Sequence, residues 1–162
     1  GCGVHLARHP QLLHVHHANG VKRDNRQANL RVVCAGCHRL QPRHEHMPIS
    51  HEAMKTINRL RREQGVLSSG SWKEVYAHAD PGLHGLLRAC QSQRVAPPEV
   101  AYPVYPGQVH TASHLELAWP RSRVGVAIGR QDREKAQKAG WRVWSMFNAL
   151  EQMPSFVAQI AR

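Results

Sequence analysis

Leu13-His14-Val15-His16-His17-Ala18-Asn19-Gly20, followed after a polar stretch by Asn29-Leu30-Arg31-Val32-Val33-Cys34-Ala35-Gly36-Cys37-His38, is the part of the sequence whose reading decides the fold. Residues 12–17 alternate roughly between apolar and polar side chains, with Pro10 before them and the turn dipeptide Asn19-Gly20 after them, so they read as a strand. A polar loop runs to about Gln27. Leu30-Arg31-Val32-Val33 is a second short, β-branched run, and it delivers the chain to Cys34–His38, where a short helix begins that Pro42 must end. The predicted order is strand, strand, helix.

Chemistry concentrates in the same region. Nine of the 13 histidines lie between His5 and His51, and Cys34 and Cys37 form a C-x-x-C pair inside that histidine-rich stretch. Such spacing suits a metal better than a secreted disulfide framework, and four cysteines in all (Cys2, Cys34, Cys37, Cys90) fit a reducing, cytoplasmic setting. Neighbouring side chains on a strand point to opposite faces, so His16 and His17 suit two separate jobs: one holds a metal while the other serves as a base. Fast phosphodiester hydrolysis needs a deprotonated in-line water, neutralised charge on phosphorus and a stabilised leaving oxygen, and one histidine with one metal supplies all three.

With 22 Lys and Arg against 11 Asp and Glu, the formal charge is +11, and a surface of that sign attracts polyanions such as DNA. A hydrophobic share of 41% is enough for a modest core. No apolar run reaches the roughly 18 residues of a membrane span, and Gly1-Cys2-Gly3 lacks a signal pattern. The absence of an initiating Met reads as a processed product or an excised piece of a longer chain.

Residues 1–50 resemble the HNH (ββα-metal) endonuclease family, in its zinc-stapled branch, in motif order and in spacing. The resemblance implies that His17 is the general base, that His16 from the first strand and His38 from the helix ligate the catalytic metal, and that Asn29 braces the loop orienting the base. Many members carry a second helix ligand four residues after the position of His38. Here that position is Pro42, so His44, ranked before His46, or water completes the shell. The ion could be Mg²⁺, Mn²⁺, Ni²⁺ or Zn²⁺. Cys34 and Cys37 take the place of two ligands of a structural zinc, whose others come from a C-x-x-C upstream of the first strand. Only Cys2 is present there, so either a preceding cysteine or His5, at C-x-x-H spacing from Cys2, completes the site. A zinc would add stability that a core of about 50 residues lacks.

Ser50 is placed to cap a helix running to about Gln64, with Met54, Ile57 and Leu60 on one face and Gly65 as its stop. Candidate phosphate contacts are Lys22, Arg23, Arg39 and Arg43 around the motif, and Arg59, Arg61 and Arg62 at the end of this helix. For that last run a solvated helix end is the competing reading. Residues 66–96 read as a helical connector of one or two short helices, starting at Ser71 and Asp80-Pro81, with Ala96-Pro97-Pro98 as a linker. Cys90 and the tryptophans Trp119, Trp141 and Trp144 read as core.

Beyond the linker, Val100–Tyr105, Leu115–Trp119 and Val124–Ile128 read as strands, Asp132–Ala139 as a helix ended by Gly140, and Trp141–Trp144 as a returning strand. Residues 97–150 resemble, more weakly, the restriction-endonuclease-like fold of very-short-patch repair enzymes. Active relatives place an acidic residue at each of two strand positions to hold a metal. Here Glu116 occupies the first, but Ala127 and Ile128 fall at the second, which implies a degenerate unit used for DNA contact or partner docking.

The fold expected is therefore α+β in three parts: an HNH unit over 1–65, a helical connector over 66–96 and a small α/β unit over 97–162. The function expected is metal-dependent cleavage of DNA in a bacterial defence or mobile-element context. The alternatives are a zinc-stapled DNA-binding module without turnover, or the effector piece of a larger defence or helicase-type protein that a partner activates.

Overall fold

A computed structural model describes residues 1–67, 70–105 and 113–162. The chain is mixed α and β and divides into two compact units, Gly1–Val66 and Leu67–Arg162.

In the first unit a single 3-10 turn, Pro10–Leu12, leads into β1 (Leu13–His17), and β2 (Leu30–Cys34) returns antiparallel to it with Leu13 opposite Cys34 and His17 opposite Leu30. Gly20 lies at φ +75°, a conformation that costs glycine little, and its N–H closes the turn on the His17 carbonyl at 2.9 Å. Helix α1 (Ala35–Arg39) follows β2 directly, because the Cys34 sulfur caps it by accepting the Cys37 N–H at 3.4 Å. Helix α2 (His51–Glu63) starts where Ser50 Oγ accepts the Ala53 N–H. Leu6, Val33, Ala35 and Ile57 pack with the sulfurs of Cys34 and Cys37 into a small core. The opposite face of the hairpin leaves Val15 and Val32 exposed.

The second unit begins with α3 (Trp72–His78), capped by Ser71, and α4 (His84–Ser92), entered through a 3-10 turn that Asp80 caps. Strands β3 (Glu99–Val104), β4 (Ser113–Trp119) and β5 (Val124–Val126) follow, then α5 (Arg130–Lys138) and β6 (Arg142–Trp144). The sheet order is β3-β4-β5-β6, antiparallel except between β5 and β6, which α5 connects in parallel. The helices expected as a connector do not stand apart. Val75, Leu83, Leu86, Leu87 and Cys90 share one buried cluster with Val100, Leu117, Val124 and Val126 of the sheet. Residues 68 and 69 of that segment lie outside the described residues. Burial pushes the Cys90 thiol up to about 11, as an apolar core position dictates.

Two further helices, α6 (Met146–Glu151) and α7 (Met153–Ile160), complete the cluster with Ala149 and Phe156, and the rings of Trp119 and Trp144 each meet Phe156 at 5.5 Å between centroids. Neither helix is among the elements expected from the sequence, although Ser145 as a cap and Met153, Phe156, Val157 and Ile160 at helical spacing mark this segment. A second, smaller cluster joins Leu115 and Ala118 of β4 to Ala136 of α5.

Gly125 has no room for a side chain: a Cβ there would lie 2.5 Å from Leu115 Cδ1, and Leu115 is itself fully buried. Gly125→Ala is expected to destabilise the second unit by about 1–3 kcal/mol through overpacking, read as a lowered midpoint in thermal or urea unfolding.

Candidate metal centres and histidine cleft

β1, α1 and the turn after α1 bring three of the expected ligands together. α1 turns His38 back towards β1, where its Nδ1 meets His14 Nδ1 at 3.0 Å, and its ring lies 5.3 Å from that of His16. Pro42 ends the helical path, so the third imidazole comes from the turn beyond it. His44 lies 4.6 Å from His38 and 5.2 Å from His16, ring to ring. One nitrogen from each of His16, His38 and His44 lies within 4.8 Å of the other two, close enough to converge on one ion.

The turn is held in place. Arg39 donates from Nε to the Met47 carbonyl at 2.7 Å and from Nη2 to the Glu45 carbonyl at 3.1 Å. The Pro42 carbonyl accepts from His44 Nδ1 at 2.9 Å, so the proton sits on Nδ1 and the Nε2 lone pair is free to bind a metal. Arg39, expected to contact phosphate, is thus hydrogen-bonded through Nε and Nη2 to the loop that presents His44.

His16 and His38 both have lowered pKa values. Burial is the larger cause in each, followed by the charge of neighbouring histidines, so both rings are neutral near pH 7, the state that ligates a metal. The sign of the resulting pH dependence follows. The unfolded chain takes up protons at these positions before the folded one does, so stability is unaffected above pH 6.5, the ordinary value, and falls as the pH drops below it. Urea unfolding in buffer without added divalent metal should show that acid-side loss, and His16→Gln should reduce it.

His17 is separated from this set by its hydrogen bond. Its Nε2 meets Asn25 Oδ1 at 3.0 Å, and with Asn25 as acceptor the ring carries its proton on Nε2 and leaves the Nδ1 lone pair available. The loop that supplies Asn25 is braced by Asn29, whose Oδ1 accepts the Asn19 N–H at 2.9 Å and whose Nδ2 donates to the Asp24 carbonyl at 2.7 Å. Asp24 ties the loop further through Asn19 and through Arg26, which is the main reason its carboxyl is lowered to about 2. A cleft of about 890 Å³ is lined by His16, His17, Asn19, Lys22, His38, Arg43, His44 and His46. His16 and His17 thus serve one cleft from adjacent positions.

At the other end of α1, Cys2, Cys34 and Cys37 form a second cluster. The Sγ atoms of Cys2 and Cys34 are 3.9 Å apart. Tetrahedral zinc with Zn–S bonds of about 2.3 Å would set its sulfurs roughly 3.8 Å apart, so the donor set fits that ion. Hydrogen bonds with the Cys34 and Cys37 sulfurs hold the Cys2 thiol well below its ordinary range, with the Val4 N–H and Arg61 acting the same way against burial. The same sharing holds Cys34 as the thiol partner.

Arg61 is not a phosphate contact. It is fully buried, donates to all three sulfurs at 3.3–3.4 Å, and is held from behind by Asn58 Oδ1 at 2.8 Å. Burial opposes its charge, the negative charge shared by the sulfurs of Cys34, Cys2 and Cys37 outweighs that cost, and its pKa is raised. His5 does not join the cluster: its side chain is exposed, and its backbone N–H and carbonyl are clasped by the Gln64 amide.

Of the other expected phosphate contacts, Lys22 and Arg43 line the cleft, Arg23 is exposed on the adjoining loop, Arg59 pairs with Glu63 along the surface of α2 and Arg62 is half-buried. Asn25, His14 and the buried role of Arg61 were missed. His14 was readable, because it shares a strand face with His16 two residues on. Asn25 was not, because no local pattern marks a loop residue that folds back across eight positions. In the second unit, Glu116 Oε2 accepts the Ile128 N–H at 2.9 Å, and Arg133 donates to the carbonyls of Ala127 and Ile128.

No family model matches this chain, and no solved structure matches it. In sequence it is similar to a protein of Escherichia coli, Zorya protein ZorE. The two are 35% identical over 152 residues, which is 94% of this chain and 40% of that protein. The chain therefore spans about 40% of the length of the curated relative it matches. Among the described residues no helix is long and apolar enough to cross a membrane.

Proposed function

We propose that residues 1–66 act as a metal-dependent HNH-type endonuclease unit on DNA, and that the chain works in bacterial anti-phage defence alongside other proteins of such a system. The observation that carries the first part is the convergence of the His16, His38 and His44 imidazoles beside His17 in one cleft. The likeness to a Zorya protein supports the second.

A divalent ion held by the three imidazoles would supply the Lewis acid that neutralises charge on the phosphorus and the leaving oxygen. The remaining work falls to the chain. His17, with its proton on Nε2, accepts a proton from the attacking water at Nδ1. Asn25 fixes that tautomer, and Asn29 holds the loop from which Asn25 reaches. Lys22 and Arg43 at the rim attract the phosphate backbone without reading bases. Asn25→Ala is expected to lower kcat by about 10- to 100-fold with little change in KM and to shift the pH profile, because it loosens the base without touching substrate.

Supercoiled plasmid incubated with the chain and Mg²⁺ or Mn²⁺ should be nicked or linearised, with 5′-phosphate and 3′-hydroxyl ends, and EDTA should stop the reaction. DNA binding without cutting, by protein that holds both its metals, would instead assign the unit to a binding role.

A further inference from the structure

We propose that Arg61 is the counter-charge of the Cys2/Cys34/Cys37 centre, making a zinc ion held by three thiolates electrically neutral within the small core of the first unit. This rests on reading that cluster as a zinc site, and the geometry carries it further. A buried guanidinium keeps its charge only where negative charge faces it. Among the described residues, the acceptors around Arg61 are Asn58 Oδ1, a neutral amide, and the three sulfurs at 3.3–3.4 Å. The negative charge therefore has to reside on the sulfurs.

The charge sum then constrains the centre. Zn²⁺ with three thiolates carries one negative charge, which Arg61 cancels when the fourth ligand is neutral, such as water or an imidazole. A fourth thiolate would leave one negative charge buried.

The surroundings are shaped for this arrangement. Gly36, inside the Cys34–Cys37 knuckle, has no side chain, and a Cβ there would already lie 3.1 Å from Arg61 Nη2. Nε reaches Cys2 while Nη2 reaches Cys34 and Cys37, so one planar fork spans sulfurs that are 32 or more residues apart in sequence from Cys2 to Cys34. Arg61 thus joins the amino-terminal segment, the knuckle and α2 through the same three atoms that hold the metal.

The test uses the full chain. Zinc content is measured by elemental analysis, zinc affinity by competition with a chromophoric chelator, and thiolate ligation by the charge-transfer band of the cobalt-substituted protein. Arg61→Met should weaken zinc binding by about 10- to 100-fold, the usual cost of losing a partner of the ligands, with Arg61→Lys falling between it and the wild type. Asn58→Asp should also weaken binding, because its carboxylate competes for the guanidinium while Arg61 itself remains. If Arg61→Met fails to fold even at saturating zinc, Arg61→Lys and Asn58→Asp decide the matter.

A merely structural Arg61 would lower the stability of the metal-free and zinc-loaded forms equally and leave zinc affinity unchanged in all three variants. That result overturns the proposal. A wild-type chain that holds no zinc and gives no cobalt–thiolate band overturns the reading of the cluster as well.

Discussion

His17→Ala is expected to lower the rate of plasmid nicking by about 10²- to 10⁴-fold, the usual contribution of a positioned general base, while leaving metal and DNA binding close to wild type. The separation follows from the geometry. The imidazoles placed to hold a metal are those of His16, His38 and His44, and His17 is bonded instead to Asn25, so its removal leaves all three in place. His38→Ala should behave differently, losing catalytic-metal affinity together with activity. Gel-based nicking across a metal titration distinguishes the two, because excess Mn²⁺ should rescue a ligand variant in part and His17→Ala not at all. Cutting that survives His17→Ala but disappears in Glu116→Ala would move the chemistry to the second unit.

With zinc held by Cys2, Cys34 and Cys37 as proposed, its removal is expected to have the largest effect on stability. Structural zinc contributes roughly 10–16 kcal/mol of apparent binding free energy at neutral pH, against a total folding stability of about 5–15 kcal/mol for an ordinary domain. The core of the first unit is small, and the buried cysteines Cys34 and Cys37 are part of it. Chelation, or Cys37→Ser, should therefore unfold residues 1–66. The second unit keeps its own buried cluster around Leu83, Leu117, Val126 and Phe156 and should remain folded. Amide hydrogen exchange should show protection lost in β1, β2 and α1 and retained in β4 and α4. Retention of protection in α1 after complete zinc removal would show that the sulfurs and Arg61 suffice without metal.

Where the signal was local, it was legible. The alternation of residues 12–17, the Asn19-Gly20 turn and the Cys34 to His38 spacing place the starts of β1, β2 and α1 within about a residue of where they lie, although α1 ends at Arg39, short of Pro42. Ser50, Ser71 and Asp80 were read as helix starts because a capping side chain acts on N–H groups two or three residues away, and each does so. His44 is expected before His46 as the third ligand, and a His44 nitrogen lies within 4.8 Å of those of His16 and His38.

The misreadings share one cause. Arg39, Arg61 and Lys22 carry the same formal charge, and the sequence treats them alike, yet only Lys22 faces the cleft. Arg61 sits one helical turn past Ile57 on the buried side of α2, and its neighbour Arg62 is half-buried, so position on the helix rather than residue type decides their roles. His5 has the right spacing from Cys2, but the Gln64 amide clasps its backbone and its ring lies exposed.

By itself, then, the sequence determined the strand–strand–helix order, the residue types able to bind metal and the basic character of the surface, since each depends on spacing or composition along one segment. Tertiary structure decided which donors converge: that His44 reaches across a proline-broken turn, that Asn25 returns to His17 and that a buried arginine closes on three sulfurs. Those outcomes depend on how distant segments pack, where a long side chain gains or loses more from its surroundings than its own chemistry predicts.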